Sequence, residues 1–480
     1  MRIGYHRRRL ADFLGGMRLS RELIKHERWP KGRLRRHQQE RLDALVRHAM
    51  RHSPFYRELL SGVVGNGPVE LSRLPVLDKT RMMEHYDKLV TDPRLKRDEL
   101  LAWVEGLEQD ELYLGEYRAM TTSGSSGRKG LFVYDEQGWR TIAAMFVRQS
   151  AWMGVKPRLP RRFRMCLIGG AAPSHMTRQG SATLGIGIHR FLGLPLTLPI
   201  ERMVAELNRF QPEFLNVYPS IAMRLAEEQL AGRLRLSLTM MSTSSELRTP
   251  EMTERLVEAF GVHPFNFYAT TEGLWGVECE RHEGIHLFED MALLENVDAQ
   301  GRPVPEGEPG AKVLVTFLYN LVQPIIRLEV SDVVTIDPEP CPCGRTLVRA
   351  RAIEGRSDDV IELPAQKNGG EVAVHPIEFG ILTRDREVRE FQVVQEGASV
   401  CILVVPRRSA GSELEARLRD AVSRRLAELG VIEPEVSVER REELARSAGG
   451  KLQLVVADPA ARQATAGSIS VEIDPCRSLG

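Results

Sequence analysis

No long uncharged apolar run occurs in this sequence, so no segment reads as a transmembrane helix. No apolar stretch follows the early arginines, so no secretory signal is expected. Charge of one sign is also lacking: 66 Lys and Arg stand against 65 Asp and Glu, a formal net charge of +1. That balance gives no global field to attract nucleic acid or an anionic membrane, and neither is expected as a partner. Cysteine is sparse, six in 480 residues, which does not make a disulfide framework. The expected location is the cytoplasm. Two signatures are absent as well: the phosphate loop G-x-x-x-x-G-K-[ST] and the kinase motif set. What remains is the composition of a globular protein, 42% hydrophobic and 27% charged, in a chain long enough for two or more domains.

The densest chemistry lies in TTSGSSGRKG, Thr121 to Gly130. Gly124, Gly127 and Gly130 allow backbone conformations closed to residues with a Cβ, so successive N–H groups can converge on an anion. Thr121, Thr122, Ser123, Ser125 and Ser126 add hydroxyl donors, and Arg128 and Lys129 add positive charge. This is the chemistry of a triphosphate cradle; the plain alternative is a Gly/Ser-rich surface hairpin. The following LFVYD predicts a strand, so no helix N-terminus assists and cations carry more of the work.

Before the loop, residues 1–70 read as a helical segment, with Leu42, Leu45, Val46 and Met50 at helical spacing and a solvated basic face preferred to a nucleic-acid arm. Asp78 predicts a helix start. After the loop, apolar strands alternate with amphipathic helices as far as Gly261, which predicts a layered α/β domain with a largely parallel sheet and ligands at its strand ends. FNFYATTEG closes that run. Its Thr270, Thr271 and Glu272 at a strand end suit Mg²⁺ on a nucleotide, or simply form a polar turn. From Arg356 the pattern becomes a hairpin, a helix and a further strand, a small α+β domain. Ser412 and Glu415 predict a capping box on its helix, and Lys451 sits on a glycine-softened turn near its end. The boundaries expected are 1–70, 71–355, 356–460 and a frayed tail over 461–480.

The six cysteines divide into three sets. Cys341 and Cys343 in CPCG, with Cys279 and His286 (or His282) in CERHEGIH, offer three sulfurs and an imidazole, the ligand set of a closed structural Zn²⁺ site; unliganded buried thiols are the alternative. Cys166 and Cys401 lie in apolar strand text and read as core, and Cys476 lies in the tail without a role.

The motifs in this order resemble the adenylate-forming ligases, in particular the phenylacetate–CoA ligase-like branch with its capsule-biosynthesis relatives, from Leu71 to Leu454. TTSGSSG is similar to the family's T-S-G-[ST]-[ST]-G loop, which implies ATP phosphates on Thr122, Ser123, Gly124, Ser125, Ser126, Gly127 and a cation such as Lys129. YATTE resembles Y-G-x-T-E, with Ala269 in place of glycine, and brings Tyr268 to the nucleotide and Thr271 and Glu272 to Mg²⁺. The resemblance further implies Asp332 and Arg356 on the ribose, Asp359 as domain pivot and Lys451 as catalytic lysine; Ser331 replaces the usual glycine before Asp332. It implies an enzyme that activates a carboxylic acid with ATP as an acyl-adenylate and passes it to a thiol, usually coenzyme A. Tyr218, Ser245, Phe267, Ala269 and Trp275 are expected to line the acid pocket, which favours an aromatic or hydrophobic acid. A carrier-protein thiol or an amine as acceptor, a nucleotide-binding interaction protein without turnover, and a phosphotransferase forming ADP are the competing readings. Oligomeric state stays open.

Overall fold

Short apolar strands alternating with amphipathic helices between residues 164 and 269 build one half of a nine-stranded sheet. In the computed structural model, residues 2–122, 130–155, 160–170, 172–365, 370–447 and 450–457 are described. The Ser123–Lys129 part of the phosphate loop and the tail with Cys476 lie outside them. A hairpin of β1 (Arg118–Thr121) and β2 (Leu131–Tyr134) carries the two ends of that loop. The parallel strands are β3 (Arg164–Gly169), β4 (Arg190–Pro195), β5 (Phe214–Val217), β6 (Met240–Ser244) and β7 (Phe265–Ala269), in spatial order β4-β3-β5-β6-β7.

Beyond β7 the largely parallel expectation needs correction. Strands β8 (Trp275–Glu278) and β9 (Ile285–Leu287) pair antiparallel. Strands β10 (Ala292–Val297), β11 (Lys312–Phe317) and β12 (Leu328–Val330) form a separate sheet, after which β13 (Asp332–Ile336) and β14 (Arg349–Arg356) complete the large sheet, also antiparallel. The reason is connection length. Residues 270–274 between β7 and β8 suffice for a hairpin turn and not for a crossover helix.

Helices α1 (Arg2–His26) and α2 (Lys31–His52) belong to the main core. Leu23, Leu34, Leu42, Leu45 and Val46 pack in one cluster with Trp139, Phe288 and Phe317. Next come α3 (Lys79–Glu84), capped by Asp78 accepting from Arg81 N at 2.8 Å, and α4 (Glu136–Trp152). The α1/α2 region is bound by buried charge as well as by apolar contact. Arg148 of α4 bonds Glu27 and Asp290 at 2.9 Å each, His26 bonds Asp290 at 2.9 Å, and Arg345 reaches Glu27 at 3.3 Å. Helices α5 (Met176–Leu184), α6 (Ile200–Phe210), α7 (Pro219–Leu230) and α8 (Pro250–Phe260) follow, the last with Thr249 as N-cap and Gly261 at φ +68 as its stop.

From residue 361 a second core forms from Ile361, Phe379, Val393, Ile402, Leu418 and Val422. It lies between α9 (Leu414–Glu428) and a sheet of β17 (Val388–Glu396), β18 (Ser399–Pro406), β19 (Glu435–Arg440) and β20 (Val455–Val456), after the small hairpin β15 (Ile361–Pro364)–β16 (Glu371–Val374). The predicted capping box is not formed: the N-cap position is Glu413, without a side-chain cap bond, and Glu415 pairs with Arg440 at 2.9 Å. A guanidinium is a stronger partner for a carboxylate than a neutral backbone N–H. No described helix is long and apolar enough to cross a membrane.

Candidate active site

The C-terminal ends of β6 and β7, the loop-bearing hairpin and the small domain enclose a cleft of about 1020 Å³. Thr122 marks where the phosphate loop enters. Its Oγ1 accepts from Gly130 N at 2.8 Å and its N–H donates to Gly130 O at 3.0 Å, so the loop is pinched at its base. A Cβ at Gly130 would stand 2.9 Å from Lys79 Cε, which puts Lys79 beside the loop's exit.

The YATTE turn is held from outside. Thr270 Oγ1 accepts from Leu274 N at 3.2 Å, Tyr134 OH donates to Thr271 O at 3.0 Å, and Tyr319 OH donates to Gly273 O at 3.1 Å. Gly273 has φ +116, and a Cβ there would lie 2.2 Å from the Tyr319 hydroxyl, so only glycine fits. This turn aims Glu272 into the cleft, where Lys79 Nζ meets its Oε1 at 3.1 Å. Burial pushes the Glu272 carboxyl up, but the Lys79 ammonium, a backbone N–H and the Arg356 guanidinium together outweigh it, and the group lies below the usual range.

Asp332 begins β13 and faces Arg356 at the end of β14, with Oδ1 to Nε 3.8 Å, and it accepts a hydrogen bond from Tyr268 OH. Burial raises the Asp332 carboxyl, opposed by Arg356. Asp359, in the turn after β14, accepts from Gln453 Nε2 at 2.7 Å, and Ser331 Oγ donates to Asp358 at 2.9 Å. The hinge candidate is thereby tied directly to the irregular segment 451–454 that carries Lys451.

Lys451 itself enters the cleft from the small domain. Its N–H donates to Ser447 Oγ at 3.1 Å, and Gly450, at φ +84, brings the turn so close to the large domain that a Cβ would stand 2.8 Å from Leu196 Cβ. The Lys451 Nζ lies 5.7 Å from the centroid of the Tyr218 ring. Burial, and then the Arg356 guanidinium, hold its ammonium below the usual lysine range, while Glu246, Glu272 and Asp332 act in the opposite sense.

Of the residues expected around the acid, Ser245, Phe267, Ala269 and Trp275 border the cleft, whereas Tyr218 is buried behind its wall with its ring toward Lys451. Two site residues were missed by the sequence reading. Lys79 had a signal, a lysine directly after an N-cap, but nothing linked it to Glu272. Glu246 is the other. Ser245 has φ +71, an uncommon conformation for a residue with a Cβ, and turns Glu246 under the small domain, where it accepts from Ser220 N at 2.9 Å and Leu452 N at 3.0 Å. One carboxylate thus joins the start of α7 to the residue after Lys451. Replacing it strands a backbone N–H on each side. Glu246→Ala is expected to slow adenylate formation by about tenfold, the scale of one charge-assisted hydrogen bond, and to slow acyl transfer from a supplied adenylate less. Equal losses in the two half-reactions would show that Glu246 does not act through the lysine turn.

Away from the cleft, Cys279, His286, Cys341 and Cys343 are all buried, with ligand atoms within 4.8 Å of one another. Cys279 Sγ and Cys341 Sγ are 3.7 Å apart, too far for a disulfide and close to the ~3.8 Å edge of a tetrahedron with ~2.3 Å zinc–sulfur bonds. His286 Nδ1 donates to Leu347 O at 3.1 Å, which leaves the Nε2 lone pair toward Cys343 Sγ at 3.5 Å. The alternative ligand His282 instead faces Glu278 at 3.1 Å.

No family model matches the chain. Phenylacetate-coenzyme A ligase of Thermus thermophilus is 30% identical over 390 residues, 77% of this chain and 79% of that protein. The protein CapK of Staphylococcus aureus is 21% identical over 373 residues, 75% of each. Among solved structures, 2-hydroxyisobutyryl-CoA ligase in the postadenylation state aligns with a TM-score of 0.72 at 23% identity, over 92% of this chain and 93% of that one, which establishes the fold. With that coverage and identity, the chain belongs to the phenylacetate–coenzyme A ligase branch of the adenylate-forming enzymes.

Proposed function

We propose that this protein is an AMP-forming acid–thiol ligase, which activates a carboxylic acid as an acyl-adenylate and transfers the acyl group to coenzyme A. The observation that carries this reading is the convergence of Glu272, Asp332, Arg356 and Lys451 on one cleft between two domains. A nucleotide-binding interaction protein has no need of the lysine.

The chemical difficulty is charge. A carboxylate must approach the α-phosphate of a polyanion, and the transition state spreads negative charge over phosphoryl oxygens. Asp332 and Arg356 take the ribose and so set the position of the α-phosphate. The phosphate loop and Lys79, beside its exit, take the distal phosphates. Glu272 and Thr271 fit a Mg²⁺ ion, which neutralises phosphate charge when bound. Lys451 then stabilises the charge that develops at the α-phosphate. Attack by the acid oxygen forms the P–O bond as the bond to pyrophosphate breaks. For the second half-reaction, rotation about Asp359 withdraws Lys451 and opens the acyl carbonyl to the thiol. AMP formation dependent on a carboxylic acid is the decisive assay; ADP in its place would mark a phosphotransferase. Coenzyme A, a carrier-protein thiol and an amine are compared as acceptors in the same assay.

The ribose assignment carries its own expected result. Asp332→Ala should weaken ATP and AMP alike, by about tenfold or more, since the ribose is common to both and a charge-assisted hydrogen bond is lost. Glu272→Ala should impair Mg²⁺-dependent adenylation more than AMP binding. Calorimetric titration with AMP checks the first: unchanged affinity in Asp332→Ala would remove that residue from the ribose.

The four buried ligands Cys279, His286, Cys341 and Cys343 are proposed to hold one structural Zn²⁺, since their number, chemistry and spacing match a closed tetrahedral site. Five buried free cysteines among the described residues suit a reducing compartment, in keeping with a cytoplasmic enzyme.

A further inference from the structure

The near-neutral total charge conceals a division along the chain. Residues 1–52, through the end of α2, carry 15 Lys and Arg against 5 Asp and Glu, so the net charge is +10 there and −9 over the rest. Helix α1 adds an apolar feature to this charge. Leu10, Leu14 and Ile24 are 48%, 55% and 39% exposed, and at ~100° of turn per residue they share one face with the half-buried Met17. Exposed Arg7, Arg18, Arg21 and Lys25 stand in or beside that row. The other large exposed apolar residues, such as Val63, Leu114 and Val257, stand one to an element or turn.

The row cannot turn inward. On the opposite side of α1, Phe13 and Leu23 are buried, and Asp12 meets the buried Arg118 of β1 at 2.6 Å. Gly16 brings α1 so close to α4 that a Cβ there would stand 2.8 Å from Ala143 Cβ. Rotating the helix to hide its leucines would uncover that core and strand the buried ion pair. Single exposed leucines are ordinary, but a row along about 21 Å of one fixed helix marks an interaction site. Arg7, Arg18 and Arg21 have no ion-pair partner among the described residues, and Glu22, the one exposed acid of α1, is paired with Lys25 at 2.8 Å.

We propose that α1 docks this protein on the surface of a membrane containing anionic lipid, lying in the interface without crossing it. Leu10, Leu14, Met17 and Ile24 enter the boundary between headgroups and acyl chains, while the long cationic side chains beside them reach the lipid phosphates. A chain with +10 in its first two helices and −9 elsewhere turns those helices toward an anionic plane before contact. Nucleic acid would take the arginines and leave the leucines in water. A second copy of the chain would set arginine against arginine. An acidic protein offers carboxylates at fixed points, whereas a bilayer offers anions and hydrocarbon along the whole row. Membrane docking is separate from the ligase reading and stands without it.

Flotation of the full chain with vesicles tests this, using phosphatidylcholine alone and phosphatidylcholine mixed with phosphatidylglycerol. At low salt the protein is expected to bind the mixed vesicles about tenfold or more tightly than the neutral ones, and to be released as salt rises. Leu10→Gln/Leu14→Gln and, separately, Arg18→Glu/Arg21→Glu should each weaken binding by about tenfold. All four side chains are exposed, so both variants should melt with the parent, which circular dichroism checks. No binding to the mixed vesicles, or binding that neither variant changes, overturns the proposal. So does binding that the arginine variant abolishes and the leucine variant leaves intact, the mark of attraction to any polyanion, an acidic protein included. A dimer in sedimentation velocity that the leucine variant dissolves would give the face to a second copy and overturn it as well.

Discussion

Lys451→Ala is expected to cut carboxylate-dependent ATP–pyrophosphate exchange by about a hundredfold or more, the loss typical of a removed transition-state stabiliser. The same variant, supplied with a synthetic acyl-adenylate, should transfer its acyl group to coenzyme A at close to the wild-type rate. The asymmetry follows from where the lysine stands. It belongs to the small domain, yet its ammonium lies in the cleft with Arg356 and with Glu246, Glu272 and Asp332 of the large one. An interaction made chiefly as charge develops affects rate more than ground-state binding, so ATP affinity should change little. Burial already holds the ammonium below the usual lysine range, so the charge is poorly hydrated and acts strongly on an adjacent phosphoryl oxygen. Loss of both half-reactions to the same degree would mean a structural lysine or domains that do not alternate. No loss in either would mean a solvated lysine on a turn.

The second large effect concerns stability. Protein purified without chelator should contain about one zinc per chain, and Cys341→Ser/Cys343→Ser should lose it and melt lower by about 10 °C or more. The cluster joins distant stretches of chain: Cys279 and Cys341 are 62 residues apart, and Cys343 and His286 are 57 apart. Serine in place of both thiols leaves polar groups in a buried position without the ion that gathers them. Because heating a chain of this size often ends in aggregation, the inactivation half-life at fixed temperature should be followed as well. Absence of zinc by metal analysis, or a variant as stable as the parent, would dispose of the site. Adenylate chemistry should survive at low temperature, since none of the four ligands borders the cleft.

Local rules carried the reading of the elements a long way. Asp78 caps the helix it was expected to start, Gly261 stops the last helix of the alternating run, and the apolar strands β3 and β6 end at Gly169 and Ser244. Each of these is decided within a few residues. Pairings over long separations were not visible in the same way. Lys79 meets Glu272 across almost two hundred positions, and no periodicity records that pairing. The antiparallel half of the sheet was hidden because a five-residue connection between apolar strands is informative only once the strands' partners are known. Ser412 and Glu415 satisfied the capping pattern, but Arg440, at the end of β19, took the glutamate. The grouping of Glu272, Asp332, Arg356 and Lys451 came from motif order, a record of relatives, and not from any force that the linear text displays.

The buried charges beneath α1 bear on how the chain is made. His26 is 264 residues from its partner Asp290, and Glu27 is 318 from Arg345. At ~5–20 residues per second of synthesis, the first interval alone occupies roughly 13–53 s on the ribosome. During that time His26 still lacks its partner Asp290, and Glu27 still lacks Arg345. Completion of this buried charge cluster therefore awaits Asp290 and Arg345, although Arg148 of α4, 121 residues from Glu27, is made well before them. A nascent chain halted before residue 290 should present this helix to chaperones or to protease, and one released after residue 356 should not.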